Sequence, residues 1–149
     1  TLLIAFFCIT FLTSSCRKDD DSESGNTTST NVMKYKGVSE KITDSKYSRV
    51  ADDEIYFFIY GESIANIFQF RLRSTTGNLE KLPEGTFNLN TPANNVTFFG
   101  GSAGAQNDDE FTTGNLKITK EGAGYNITCS IQTAAGDGSA NYSGTITEF

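Results

Sequence analysis

Tyr125-Asn126-Ile127-Thr128-Cys129-Ser130-Ile131 sets a bulky or apolar side chain at every second position and a small polar one between. That is the period of a strand with one face in a core and the other in water. The pattern repeats on both sides of it. Leu116 and Ile118 alternate with polar residues upstream, and Tyr142, Gly144 and Ile146 do so downstream. Glu121-Gly122-Ala123-Gly124 and Ala135-Gly136-Asp137-Gly138 supply the glycines that tight turns need, so the last third reads as an antiparallel meander.

Working back from there, Phe68, Phe70 and Leu72 form one face of a strand whose other face carries Gln69, Arg71 and Arg73, with Thr76-Gly77 as the following turn. Those arginines are expected to point to solvent. Ile55-Tyr56-Phe57-Phe58-Ile59-Tyr60 is apolar on both faces, as in a strand covered on two sides or one with a core face and a row of exposed aromatics. Leu82-Pro83-Glu84-Gly85 reads as a turn into a short strand with Phe87 and Leu89 inward, and Asn95 to Phe99 as another. No window of a dozen residues carries a helical stripe. The expected fold is all-β, a single antiparallel β-sandwich of about eight or nine strands spanning residues 32–149 behind a flexible tether.

Residues 16–31 hold almost nothing to bury. Past Cys16 they are Arg, Lys, Asp, Ser, Glu, Gly, Asn and Thr, a composition that cannot offset the entropy of ordering a backbone. Residues 1–15 are the opposite: they carry no charge and run through Leu, Ile and Phe before ending in Thr13-Ser14-Ser15-Cys16. This reads as a secretory signal with a hydrophobic core too short to span a bilayer comfortably and small residues just before a cysteine. No basic residue precedes the apolar run, so the true start of the chain is expected upstream of Thr1.

Leu12-Thr13-Ser14-Ser15-Cys16 resembles the lipobox of bacterial lipoproteins, and Lys18-Asp19-Asp20 resembles the lysine-plus-two-acids signal that directs Bacteroidetes lipoproteins to the outer face of the outer membrane. The hairpins of the last third are likewise similar to those of small Bacteroidetes surface lipoproteins. The resemblance implies that Cys16 is acylated, that the chain is cut before it, and that the domain faces the cell exterior. Each acyl chain contributes about 0.8 kcal/mol per buried CH₂, and two or three chains are needed for stable anchoring. The membrane is then a partner through lipid on Cys16.

Chemistry is sparse. There is no histidine, which removes Ser-His and Cys-His pairs and the commonest transition-metal ligand. Cys8 leaves with the signal, Cys16 takes lipid, and Cys129 stands on an inward face as a small hydrophobe, so the processed chain has no cysteine pair to oxidise. A net charge of −6 repels nucleic acid.

The acids gather in turn-like places, Asp52-Asp53-Glu54 and Asp108-Asp109-Glu110. Asp52, Asp53, Asp108 and Asp109 make a candidate Ca²⁺ site, or the carboxylate pair of a glycoside hydrolase, only if the two turns meet. Otherwise no metal or cofactor is expected. Gly100-Gly101-Ser102-Ala103-Gly104 lacks the Lys-Ser/Thr of a phosphate cradle and reads as a flexible loop. Tyr56, Phe58 and Tyr60 are candidates for a row on which sugar rings stack, with core packing the plainer expectation. The function expected is non-catalytic: binding a glycan or an envelope protein, with a carboxylate-dependent hydrolase as the alternative.

Overall fold

The computed structural model describes residues 30–63, 66–106 and 108–149. The strands are β1 (Val32–Tyr35), β2 (Val38–Ala51), β3 (Glu54–Gly61), β4 (Ile67–Ser74), β5 (Gly85–Asn88), β6 (Pro92–Ala93), β7 (Val96–Ala103), β8 (Asp109–Glu121), β9 (Gly124–Thr133), β10 (Gly136–Gly144) and β11 (Thr147–Glu148). The described residues are all-β, with no helix among them.

Eight strands pair in the order β8-β9-β10-β1-β2-β3-β4-β7, and β7 pairs back onto β8, so the sheet closes into an antiparallel barrel. The expected sandwich is therefore corrected. A sandwich leaves sheet edges open, whereas here β1 runs beside β10 from Val32↔Asn141 to Tyr35↔Gly138, and β7 meets β8 at Ser102↔Glu110 and Ala103↔Asp109. Register irregularities at Ile42/Asp44 and Arg49/Ala51 in β2, at Phe99 in β7 opposite Arg71/Leu72, and at Phe111/Thr113 in β8 supply the bending that closure requires. Inward and outward alternation is the same in both architectures, so only the pairings tell them apart.

Two gaps in the wall are patched by short strands. Where β7 and β8 diverge, β5 pairs with β8 and β6 with β7; beyond the end of β1, β11 pairs with β2 in parallel.

The interior is filled by side chains. Ile55, Phe57, Ile59, Phe68, Phe70, Leu72, Phe98, Leu116 and Ile127 are all 0 % exposed, so no water-sized surface is left even from within. Phe70 sits at the centre, its ring 5.5 Å from Phe57, 5.5 Å from Phe111, 5.7 Å from Phe98 and 6.4 Å from Phe68. Outward positions on β8 and β9 are polar and exposed, among them Asn115, Lys117, Thr128, Ser130 and Gln132. Apolar inside and polar outside is the reverse of a barrel whose wall faces lipid.

The glycine run expected as a flexible loop is, except for Gly104, the second half of β7. A Cβ on Gly101 would lie 2.3 Å from both the Phe111 ring and the Gln69 carbonyl oxygen, so the missing side chain is what lets Phe111 pack against the strand. Gly136 and Gly138 likewise belong to β10 rather than to a turn, and a Cβ on Gly138 would meet Phe68 and Ile131 at 2.7 Å.

Because the strands run alternately up and down, the connections sort to two ends. One end, called distal here, holds the β1–β2 turn at Lys36-Gly37 and the β3–β4, β7–β8 and β9–β10 connections. The proximal end holds Asp52-Asp53, Gly122-Ala123 and the entry to β1 at Asn31.

Candidate functional site

With the interior filled, the surface most unlike its surroundings is the outer wall of β2, β3, β4 and β7. On β3 the alternation sends Ile55, Phe57 and Ile59 into the core and leaves Tyr56, Phe58 and Tyr60 half-buried on the outside. The plainer expectation of core packing for these three is thus corrected: they stand in a row facing out. The rings of Phe58 and Tyr60 are 6.0 Å apart with planes 20° from parallel, and Phe149 meets Phe58 edge-on at 5.7 Å. Lys46, opposite Phe58 on β2, places its ammonium 5.3 Å from the Phe149 ring centre. Burial beside this row raises the Tyr60 hydroxyl above its ordinary pKa.

The wall continues across β4. Gln69 lies opposite Phe58 and Arg71 opposite Tyr56, as the strand's alternation predicts. Neither arginine simply projects into water. The Arg71 guanidinium lies over Gly100, where a Cβ would approach it to 3.2 Å, and its Nη2 donates to Glu110 at 2.6 Å. The guanidinium of Arg73 covers the Phe99 ring at 4.6 Å, and its Nη2 donates to Glu54 at 2.6 Å. That hydrogen bond holds the Arg73 pKa above its ordinary value. The absence of a side chain at Gly100 therefore leaves room for the Arg71 guanidinium, 6.0 Å from the Phe99 ring centre.

The two acidic turns lie at opposite ends of the barrel. Asp53 sits at the proximal end, where its carbonyl accepts from Ser74, while Asp109 sits at the distal end beside Ala103. Ser74 pairs with Val96 at one end of β7 and Phe68 with Ala103 at the other, which at about 3.3 Å per residue separates the two turns by roughly 20 Å. The Ca²⁺ site and the hydrolase pair proposed from Asp52, Asp53, Asp108 and Asp109 are not assembled. Among the described residues no cluster of three or more acidic, histidine or cysteine side chains stands ready for a metal.

Asp109 is used differently. Its Oδ2 accepts from the Tyr35 hydroxyl at 2.7 Å and from Lys36 Nζ at 2.8 Å, tying the β1–β2 turn to the β7–β8 seam. The Lys36 hydrogen bond, then the Tyr35 one, hold its carboxyl below the usual range. Across the same mouth Glu40 accepts from the Ser63 hydroxyl at 2.7 Å and is also held low, first by that bond. Carboxylates kept ionised in this way are poor proton donors.

Cys129 is buried, with its thiol pushed up to about 12 by burial. It packs as a small hydrophobe, not as a nucleophile. Cys16, Lys18, Asp19 and Asp20 lie outside the described residues, as does the tether up to residue 29.

Phe99 and Phe149 belong to the wall and were not singled out from the sequence, while Glu54 and Glu110 were noted only as members of the acidic turns. The Phe98-Phe99 doublet carried the signal: adjacent residues of a strand face opposite ways, so one of the two rings had to face out. No protein-family model, curated protein or solved structure matches this chain. Its wall is read from geometry alone.

Proposed function

We propose that this protein is a lipid-tethered, non-catalytic binding protein of the outer-membrane surface, held by acyl chains on Cys16 and meeting its glycan or envelope-protein partner through the aromatic wall of β2, β3, β4 and β7. The observation that carries the reading is the row Tyr56, Phe58 and Tyr60 standing outward on a barrel with no room inside. Aromatic and arginine side chains grouped on one face are the composition of contact surfaces that bear binding energy.

The tether fits this use. Residues 17–30 separate Cys16 from the entry to β1, and a flexible chain of that length has a root-mean-square reach of about 20 Å. A reach of that length leaves the wall room to meet a partner.

Metabolic labelling with an alkyne fatty acid tests the anchoring. The wild type should take label and sediment with membranes, and Cys16→Ala should lose both. An unlabelled wild type, or Cys16→Ala retained in the membrane fraction, sinks the tether. Protease added to intact cells should digest the barrel; protection until lysis would place it on the periplasmic side.

A further inference from the structure

We infer that the wall takes a neutral glycan, a polyhydroxylated chain without carboxylate, sulfate or phosphate. This rests on the wall being the contact face and adds the chemistry of what touches it. Charge decides the class. The chain carries −6 overall, and the cations beside the aromatic rings each face a carboxylate: Lys46 with Asp44 at 3.2 Å, Arg71 with Glu110 at 2.6 Å, and Arg73 with Glu54 at 2.6 Å and Asp53 at 4.0 Å; Lys41, exposed nearer the distal end of β2, does not among the described residues.

An anionic polysaccharide would have to break one of these pairs and would then meet the carboxylate it displaced, inside the field of an acidic protein. A neutral chain faces neither cost. The matched pairs also hold the guanidinium groups in place, so the planes beside Phe99 are ordered before anything binds.

Shape agrees with charge. Phe58 and Tyr60 stack on each other along the strand with Phe149 edge-on to Phe58, and Arg71 lies in the Gly100 notch. Pyranose rings offer apolar C–H faces to such π surfaces, whose electron-rich faces attract the slightly positive hydrogens. Gln69, between the Phe58 and Ser102 positions, puts an amide within reach of sugar hydroxyls, with its Oε1 held by the Ser102 hydroxyl at 3.3 Å.

The test is affinity electrophoresis of the full chain in mild detergent, through gels containing a neutral polysaccharide (β-glucan, xylan, mannan or galactan) or an anionic one (alginate or chondroitin sulfate). Retardation is expected in at least one neutral gel and in neither anionic gel. Phe58→Leu, which keeps an apolar group but removes the π face, should weaken the apparent affinity about tenfold, the scale of a contact-bearing aromatic. Phe58→Tyr should retain it, and matching urea midpoints would show both variants folded.

Absence of retardation in every neutral gel, retardation by an anionic gel, or an unchanged Phe58→Leu overturns the inference. So does a wall-dependent dimer in sedimentation velocity without polysaccharide binding. Fatty-acid label on Cys16 with no retardation would sink the glycan alone. Retardation lost in Phe58→Leu but without label would sink the tether and leave the glycan standing.

Discussion

Replacing Phe70 with alanine removes the side chain on which the filled interior turns. Phe70 is 0 % exposed and touches four other rings at 5.5 to 6.4 Å. Phe→Ala in a buried site costs about 3–5 kcal/mol, and each aromatic pair adds about 0.5–1.5 kcal/mol beyond its area. The site has little freedom to collapse, because β4 is hydrogen-bonded to β3 on one side and β7 on the other.

The expected loss is therefore in the upper part of that range, about 4–5 kcal/mol. Phe70→Leu, which keeps most of the volume, should cost about 1–2 kcal/mol. With a urea m-value of about 1–3 kcal/mol/M, the alanine variant's midpoint should fall by about 1.3–5 M with its slope unchanged. The chain has no tryptophan, so tyrosine fluorescence is the probe, with the buried Tyr35 and Tyr142 as reporters. A loss below about 1.5 kcal/mol would refute the reasoning, because only a barrel with a roomy, hydrated interior absorbs that deletion so cheaply.

Two further outcomes follow. With Cys8 and Cys16 changed to serine, Cys129 is the remaining thiol, and its burial makes it inert to Ellman's reagent in the native state and reactive in 8 M urea; labelling within minutes in buffer would contradict its placement. Asp109 has a folded pKa below its unfolded value, so its contribution is present above the ordinary carboxylate range and is lost as pH falls through the lower, folded value. The wild-type urea midpoint should accordingly drop below about pH 4, and Asp109→Asn should be less stable at neutral pH with a shallower acid decline; parallel pH profiles would refute this.

Strands with one buried face were legible because their side chains announce it. Phe68, Phe70 and Leu72 are all buried as their alternation predicts, and so are Leu116, Ile118, Ile127, Cys129 and Ile131. β2 was not legible. Of its fourteen residues only Ile42 and Ser45 are buried, so it carries no apolar period to detect. Closure was invisible for a different reason: it rests on Ser102, Ala103, Asp109 and Glu110, small and charged residues whose pairing leaves no compositional mark.

The glycine run misled because glycine serves both a loose chain and a crowded strand, and only the Phe111 ring over Gly101 decides which. At the candidate face, Tyr56, Phe58 and Tyr60 were visible as residues, but their direction depended on which face of β3 met the core. Two of the ion pairs on the wall join β3 to β4 and β4 to β8, contacts between positions 19 and 39 residues apart in sequence.

The pairing of Val32 with Asn141 has a cost in time. Strand β1 leaves the ribosome long before β10 and must wait for it, and until then the sheet has two raw margins and an apolar inner surface turned to water. Joining strands so distant along the chain slows the search for the native ring, because the entropy of closing a long loop falls due before most of the reward arrives. Half-made molecules of this kind are the ones that stick to each other, so a cell making this protein has reason to keep its nascent copies apart until the circle shuts.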